Sequence, residues 1–171
     1  KLRVVAVNPH TLEEVFHAIE VMGNACGAGD AARRMVDSLQ ARVAAVESKA
    51  ATAPVDSRPR VFVEIWNDPL MTAGAGTFVD DLVRRAGGRN IVGNIEGWPQ
   101  ISPETVISAH TDIIVLTCFN RAEVMARHEW RKVPAVAEGR VFEIHPDLMV
   151  RPGPRLVDGL EALARLFVGG Q

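Results

Sequence analysis

The sequence has 171 residues, of which 47% are hydrophobic and 23% are charged, and these fractions are typical of a globular chain long enough for one domain. The formal net charge of −2 gives no basic field that would collect phosphates, so the composition argues against nucleic acid as a partner. No apolar run approaches the roughly 20 residues that a membrane-spanning helix requires.

The first 59 residues predict one strand, two helices and a linker. Leu2 to Val7 is rich in β-branched side chains and predicts a strand that Asn8-Pro9 ends. Thr11 is placed to cap a helix whose apolar residues keep a helical period: Leu12, Val15, Phe16, Ile19 and Met22. A second helix is predicted from Asp30 to Ala51 with a stripe of Met35, Leu39, Val43 and Val46, and at 1.5 Å per residue it is roughly 33 Å long.

From Arg60 onward, predicted strands alternate with predicted helices. Strands are expected at residues 60–65, 90–92, 112–117 and 140–144, and helices begin near residues 77, 102, 121, 133 and 154. The run from Asp112 to Thr117 is apolar on both faces, which is typical of a parallel strand covered on both sides. The fold class predicted is α/β: a three-layer α/β/α lobe with a mainly parallel sheet, preceded by a long helix and a strand-helix unit.

Ligands of open parallel sheets bind beyond the carboxyl ends of the strands, so the loops there are the candidate site. These loops are Trp66–Gly76, Gly93–Ile101, Cys118–Arg121 and His145–Pro154. Two of the three tryptophans, Trp66 and Trp98, lie in these loops and not on the periodic face of a helix. A flat aromatic side chain in such a loop favours contact with a broad apolar ligand, although it could also close the edge of the lobe.

The remaining tryptophan and the two cysteines are interpreted as structural. Trp130 lies in a charged stretch and is predicted to be a partly exposed packing residue. Cys26 and Cys118 are far apart and sit among small or apolar neighbours, so we expect two buried free thiols, with a disulfide as the alternative.

Three stretches in this order resemble one protein family. They are Asp68-Pro-Leu-Met-Thr-Ala-Gly74, Trp98-Pro-Gln-Ile-Ser102 and His145-Pro-Asp-Leu-Met-Val-Arg151. Together they resemble the vitamin B12-binding proteins of bacterial ABC importers, part of a wider group that carries siderophores and haem between two rigid lobes joined by one long helix. The resemblance implies that residues 1–28 are a strand-helix remnant of an N-terminal lobe, 29–52 the inter-lobe helix, 53–59 a linker and 60–171 the C-terminal ligand-binding lobe.

The resemblance also assigns roles to five residues of the loops. It implies that Trp98 packs against the face of the corrin ring and that Asp147 and Arg151 approach its side-chain amides. Trp66 and Met71 fall where family members place aromatic residues, and Met71 departs from that pattern. Taken without the resemblance, Asp147 and Arg151 are four residues apart and could simply pair with each other.

Further expectations concern partners and location. Glu104 matches an acidic residue that docks onto the membrane permease, although a helix dipole alone favours an acidic residue there. The resemblance implies a binding protein that is not an enzyme, has no cofactor and works in the periplasm or outside the membrane, with a lipid anchor left open. We also expect residues 2–27 to expose apolar surface and to promote self-association.

Three other functions compete with this one. A ferric-siderophore or haem receptor shares the fold, but the sequence has no tyrosine to ligate haem, and only Arg151 and Arg155 suit a siderophore. A nucleotide-binding enzyme is disfavoured because Gly74-Ala-Gly76 lacks the third glycine of the dinucleotide fingerprint. The five histidines are scattered, and His145 with Asp147 is a weak metal pair, so no metal site is expected.

Overall fold

The computed structural model describes residues 4–118 and 120–168, and it differs from the sequence prediction at the start of the chain. The strand predicted over Leu2–Val7 lies partly outside the described residues, and residues 4–7 are unpaired. A strand needs a neighbour for its backbone groups, and no described residue supplies one here. Val4 and Val5 are accordingly exposed.

Two helices follow, α1 (Leu12–Ala25) and α2 (Gly29–Ala50), and they pack closely on each other. The Thr11 hydroxyl accepts a hydrogen bond from the Glu14 amide and caps α1 as predicted. A side chain on Gly23 would place its Cβ only 2.3 Å from Cβ of Ala32, so the glycine allows the helices to approach. Two predicted stripe residues, Met22 of α1 and Met35 of α2, are exposed, and Ala32 and Val36 are the α2 residues buried near the start of that helix.

The lobe that follows contains six strands and five helices within the described residues. The strands are β1 (Arg60–Glu64), β2 (Trp66–Asn67), β3 (Leu70–Met71), β4 (Arg89–Asn90), β5 (Ile113–Leu116) and β6 (Val141–Glu143). The helices are α3 (Phe78–Arg85), α4 (Pro103–Ser108), α5 (Arg121–Ala126), α6 (Pro134–Ala137) and α7 (Leu156–Val168). The main sheet has the order β4-β1-β5-β6 and is parallel throughout, as the apolar strands predicted.

The sheet is covered on both faces, which confirms the three-layer α/β/α arrangement. Alternate residues of β1 point to opposite sides, so Val61 and Val63 belong to one hydrophobic cluster and Phe62 to the other. The first cluster includes buried residues of α1, α2, α3 and α7, and the second includes those of α4, α5 and α6. The first two helices therefore share the core of the lobe.

Trp130 corrects a prediction, because it is fully buried and not partly exposed. It ends a short 3-10 helix, His128–Trp130, which turns the indole inward while its charged neighbours remain at the surface. The ring meets Phe62 edge-on at 6.0 Å between centroids, and the Arg127 guanidinium lies 4.5 Å from it. Trp130 therefore belongs to the core.

Candidate functional site

The parallel sheet brings the predicted loops to one edge. β1, β5 and β6 end at Glu64, Leu116 and Glu143, which are register partners across the sheet. The segments that follow these three residues therefore start side by side, and they include Trp66 and Asp147. This edge is the candidate site, in agreement with the rule for open parallel sheets.

The first loop contains the antiparallel hairpin β2-β3, which was not predicted from the sequence. Trp66 lies opposite Met71, and Met71 lies opposite Gln100 of the next loop. The turn contains a cis bond between Asp68 and Pro69. The side chain of Trp66 is 56% exposed, and its Nε1 donates to the Asp68 carbonyl at 2.9 Å. The hairpin thus fixes Trp66 while leaving the indole open to solvent.

Trp98 is carried by the neighbouring segment. Its indole is 41% exposed and meets the Phe78 ring at 5.6 Å between centroids with an interplanar angle of 65°. Backbone hydrogen bonds join this segment to β3 and the residues after it, from the Thr72 amide to the Pro99 carbonyl (3.1 Å) and from the Gly74 amide to the Gly97 carbonyl (2.8 Å). The two exposed tryptophans therefore stand on backbone segments that are hydrogen-bonded into one unit.

Gly74 is where these segments approach each other most closely. A Cβ on Gly74 would lie 1.9 Å from the carbonyl oxygen of Ile95, which is backbone and cannot rotate away. We expect Gly74→Ala to lower the free energy of unfolding by about 1–3 kcal/mol through overpacking. Chemical denaturation measures this change. Gly153→Ala is the matched control, since a Cβ there meets nothing within 4 Å, and equal stability of the two variants would contradict the prediction.

The third part of the site is a polar cluster around Asp147. Its carboxylate is only 17% exposed and contacts the guanidinium groups of Arg151 at 3.0 Å and Arg155 at 3.2 Å. The His145 ring nitrogen Nδ1 accepts a hydrogen bond from the Asp147 amide at 3.2 Å. The pairing of Asp147 with Arg151 that the spacing suggested is therefore present. Both guanidinium groups remain largely exposed and can reach a ligand while Asp147 orients them.

A buried ionic network beneath the loops was missed by sequence reasoning. Glu64 at the end of β1 is 0% exposed. Its carboxylate accepts hydrogen bonds from the side-chain amide of Asn120 at 2.5 Å and from the guanidinium group of Arg127 at 3.0 Å. Arg127 also contacts Glu123, which in turn is 3.5 Å from the side-chain amide of Asn67 in the hairpin. The available signal was a single acidic residue that directly follows three apolar residues in the same strand.

The two cysteines are both free thiols, as expected, but Cys26 is exposed and not buried. It caps the C-terminal end of α1, where the chain turns at the surface. Cys118 is partly buried and its Sγ donates to the Ile65 carbonyl at 2.9 Å. Burial raises the pKa of the Cys118 thiol, so it remains protonated and structural at neutral pH.

Glu104 lies in the first turn of α4, six residues after Trp98 and at the surface. The Ser102 hydroxyl makes no capping hydrogen bond to the helix backbone, and its hydrogen bond to Glu104 lowers the pKa of that carboxyl group. The carboxylate is therefore ionised and accessible to a cationic partner.

Neither a metal centre nor a membrane span is found in the described part of the chain. Within residues 4–118 and 120–168, no three His, Cys, Asp or Glu side chains are grouped so that they could hold a metal ion. No helix there combines the length and apolar character needed to cross a bilayer.

Comparison with known proteins identifies the family. Residues 1–148 match the periplasmic binding protein family. The ABC transporter substrate-binding lipoprotein YvrC of Bacillus subtilis is 32% identical over 166 residues, covering 95% of this chain and 53% of that protein. A cobalamin-binding protein of Halobacterium salinarum is 28% identical over 168 residues, covering 92% of this chain and 44% of that protein. The periplasmic haem-binding protein RhuT of Roseiflexus has a TM-score of 0.83 at 22% identity, covering 93% of this chain and 64% of that chain.

The chain belongs to the periplasmic binding protein family. This confirms the family to which the loop sequences pointed, and it is a family of solute-binding proteins and not of enzymes. The chain spans about half the length of the curated relatives it matches, 53% and 44% of the two above.

Proposed function

We propose that this chain is the C-terminal half of the substrate-binding component of an ABC importer and that its cargo is a corrinoid. The observation that carries the proposal is the pair of exposed indoles, Trp66 and Trp98, on hydrogen-bonded segments at the carboxyl edge of the sheet. The protein would bind and release its cargo without making or breaking a bond in it.

The chemistry of a corrinoid matches the three parts of the site. The ligand is a broad, mostly apolar disc with an amide rim and one phosphate. Trp66, Met71 and Trp98 supply apolar surface, and burying an aromatic side chain contributes roughly 1.5–3 kcal/mol. Asp147 can accept a hydrogen bond from a rim amide, while Arg151 and Arg155 can donate to amide oxygens or to the phosphate.

Haem or a ferric siderophore is the second candidate cargo. The paired guanidinium groups of Arg151 and Arg155 favour it, because both ligand classes carry acidic groups that such a pair binds well. The absence of tyrosine from the sequence removes one common haem ligand from this half of the site. The absorbance spectrum of the full-length protein, purified from cells supplied with vitamin B12, haem and a ferric siderophore, separates the candidates. A corrinoid spectrum supports the proposal, and a haem or siderophore spectrum contradicts it.

The proposed site is bipartite. We propose that this lobe is part of a longer polypeptide, the full-length protein. In it an N-terminal lobe precedes this lobe and closes the other side of the ligand. That lobe would also cover the exposed apolar side chains of Val4, Val5 and Met22, which in its absence would promote self-association. We place the protein outside the cytoplasmic membrane, and a lipid anchor would be consistent with its lipoprotein relative.

Glu104 is proposed to dock onto basic residues of the permease. We expect Glu104→Gln in the full-length protein to reduce corrinoid uptake into cells while the affinity for free corrinoid stays unchanged, because the carboxylate points to solvent. Uptake of labelled ligand and calorimetry measure the two quantities. Glu138→Gln, which removes the same charge from another exposed site, is the control. Equal uptake by both variants and the wild type would remove Glu104 from the docking surface.

A further inference from the structure

A second polar site lies at the opposite edge of the sheet, where the parallel strands begin. There a pocket of about 400 Å³ is lined by the arginines at 58, 60, 89 and 140 together with Asp56 and Asp112. Arg60 and Arg89 are the first residues of β1 and β4, and Arg140 immediately precedes β6. The starts of the parallel strands therefore gather these cationic side chains at the end of the sheet opposite to the tryptophans.

We call this pocket the arginine pocket. Its two aspartates do not balance the positive charges of its four arginines. Arg60 is neutralised by Asp112, since its Nε and a terminal nitrogen contact the two carboxylate oxygens at 2.9 and 2.8 Å. Among the described residues, Arg58, Arg89 and Arg140 have no ion-pair partner within 4.0 Å. Like charges held in one concave site repel each other, and a bound anion removes this repulsion.

Arg58 supplies an independent observation. Its Nε is buried, and no hydrogen-bond acceptor reaches it in the described part of the chain. A buried donor without an acceptor costs free energy, so native proteins rarely leave one unsatisfied. Arg58 also lines the pocket, and a guanidinium group binds phosphate oxygens through parallel hydrogen bonds.

We propose that the arginine pocket binds a phosphate group, held by Arg58, Arg89 and Arg140 while the Arg60–Asp112 pair keeps its floor rigid. The phosphate can be free in solution or can be the headgroup of an anionic lipid, since the same three side chains recognise both. This site is separate from the proposed corrinoid cleft and does not depend on the cargo.

The test has two arms, both with the full-length protein. Inorganic pyrophosphate is titrated by calorimetry, and vesicles of phosphatidylglycerol are compared with vesicles of phosphatidylcholine by co-sedimentation. If the natural ligand is a soluble phosphate, we expect saturable binding of pyrophosphate, and if it is a lipid headgroup, saturable binding to phosphatidylglycerol vesicles. In either case the binding should weaken as salt is added. Arg89→Gln and Arg140→Gln should each weaken it about tenfold, the loss expected for one charged hydrogen bond. Arg34→Gln is the control, because it removes one charge from an exposed position of α2.

The outcomes are distinct. Loss of pyrophosphate binding in the two pocket variants assigns a soluble phosphate, and loss of phosphatidylglycerol binding in the same variants assigns a lipid headgroup. Amide NMR shifts caused by pyrophosphate should cluster at residues 58–60, 89 and 140. Binding to neither probe, binding that the pocket variants leave unchanged, or shifts confined to residues 147–155 would overturn the proposal. Because the Arg89 side chain is exposed, its variant should fold even if the Arg140 variant does not.

Discussion

Replacing Trp98 with alanine in the full-length protein is expected to weaken the binding of cyanocobalamin by about 10- to 100-fold. The indole stands partly exposed against Phe78 and offers its open surface to the proposed cleft. Burying an aromatic side chain against a ligand contributes about 1.5–3 kcal/mol, and each 1.4 kcal/mol corresponds to a factor of about ten in affinity. Isothermal titration calorimetry measures the change directly.

One control variant and one control measurement make this result specific. Trp98→Phe keeps a flat ring beside Phe78 and should retain most of the affinity. The stability of Trp98→Ala should stay close to that of the wild type, because the indole is already 41% exposed. An unchanged affinity of the alanine variant would remove Trp98 from the binding site, whereas a large loss of stability would show that Trp98 holds the loop together.

Replacing Arg127 with alanine is expected to lower the free energy of unfolding of the lobe by about 3–5 kcal/mol, because it leaves a buried carboxylate without its cation. Glu64 is 0% exposed, and Arg127, with only 15% of its side chain exposed, is its cationic partner at 3.0 Å. The variant also removes the guanidinium that lies 4.5 Å from the Trp130 ring. Chemical denaturation at neutral pH gives the free energy of unfolding.

A double variant separates the buried charge from lost packing. Glu64→Gln combined with Arg127→Met leaves no buried charge, so it should recover most of the stability that Arg127→Ala loses. Arg131→Ala removes an exposed arginine nearby and should cost no more than about 0.5 kcal/mol. If Arg127→Ala were as mild as Arg131→Ala, the buried ion pair of Glu64 with Arg127 would not be a major source of stability.

The periodicity of apolar residues and the turn residues were sufficient to predict most of the fold from the sequence. The apolar run before Thr117 fixed β5 and the parallel character of the sheet, because a strand buried on both faces has no polar alternation. Thr11 and Thr77 marked the starts of α1 and α3, and both side chains cap their helices. These features are local, so a single sequence contains enough information to find them.

Features that depend on distant partners were missed or misread. The apolar run before Asn8 looks like a strand, but the described chain offers it no neighbouring strand. The hairpin β2-β3 has strands of two residues each, too short for an alternating pattern to show. Trp130 has charged sequence neighbours, and the short 3-10 helix that it ends directs the ring into the core.

In the candidate site, too, the features that depend on strand ends were predicted and the contacts between distant residues were missed. Strand order alone placed Trp66 and Asp147 at one edge, since the carboxyl ends of parallel strands meet there. The roles of Trp66, Met71, Trp98, Asp147, Arg151 and Glu104 remain predictions that rest on the resemblance and on their exposure. The contact of Arg155 with Asp147 and the network of Glu64 with Arg127 could not be read from spacing, because they join residues on different elements.

The most direct test of a bipartite corrinoid site is to titrate cyanocobalamin into the full-length protein and into residues 1–171 alone under the same conditions. We predict tight binding by the full-length protein and an affinity at least about a hundredfold lower for residues 1–171, which offer only one face of the ligand. No measurable binding by the full-length protein, or equal affinity in the two titrations, would contradict the account.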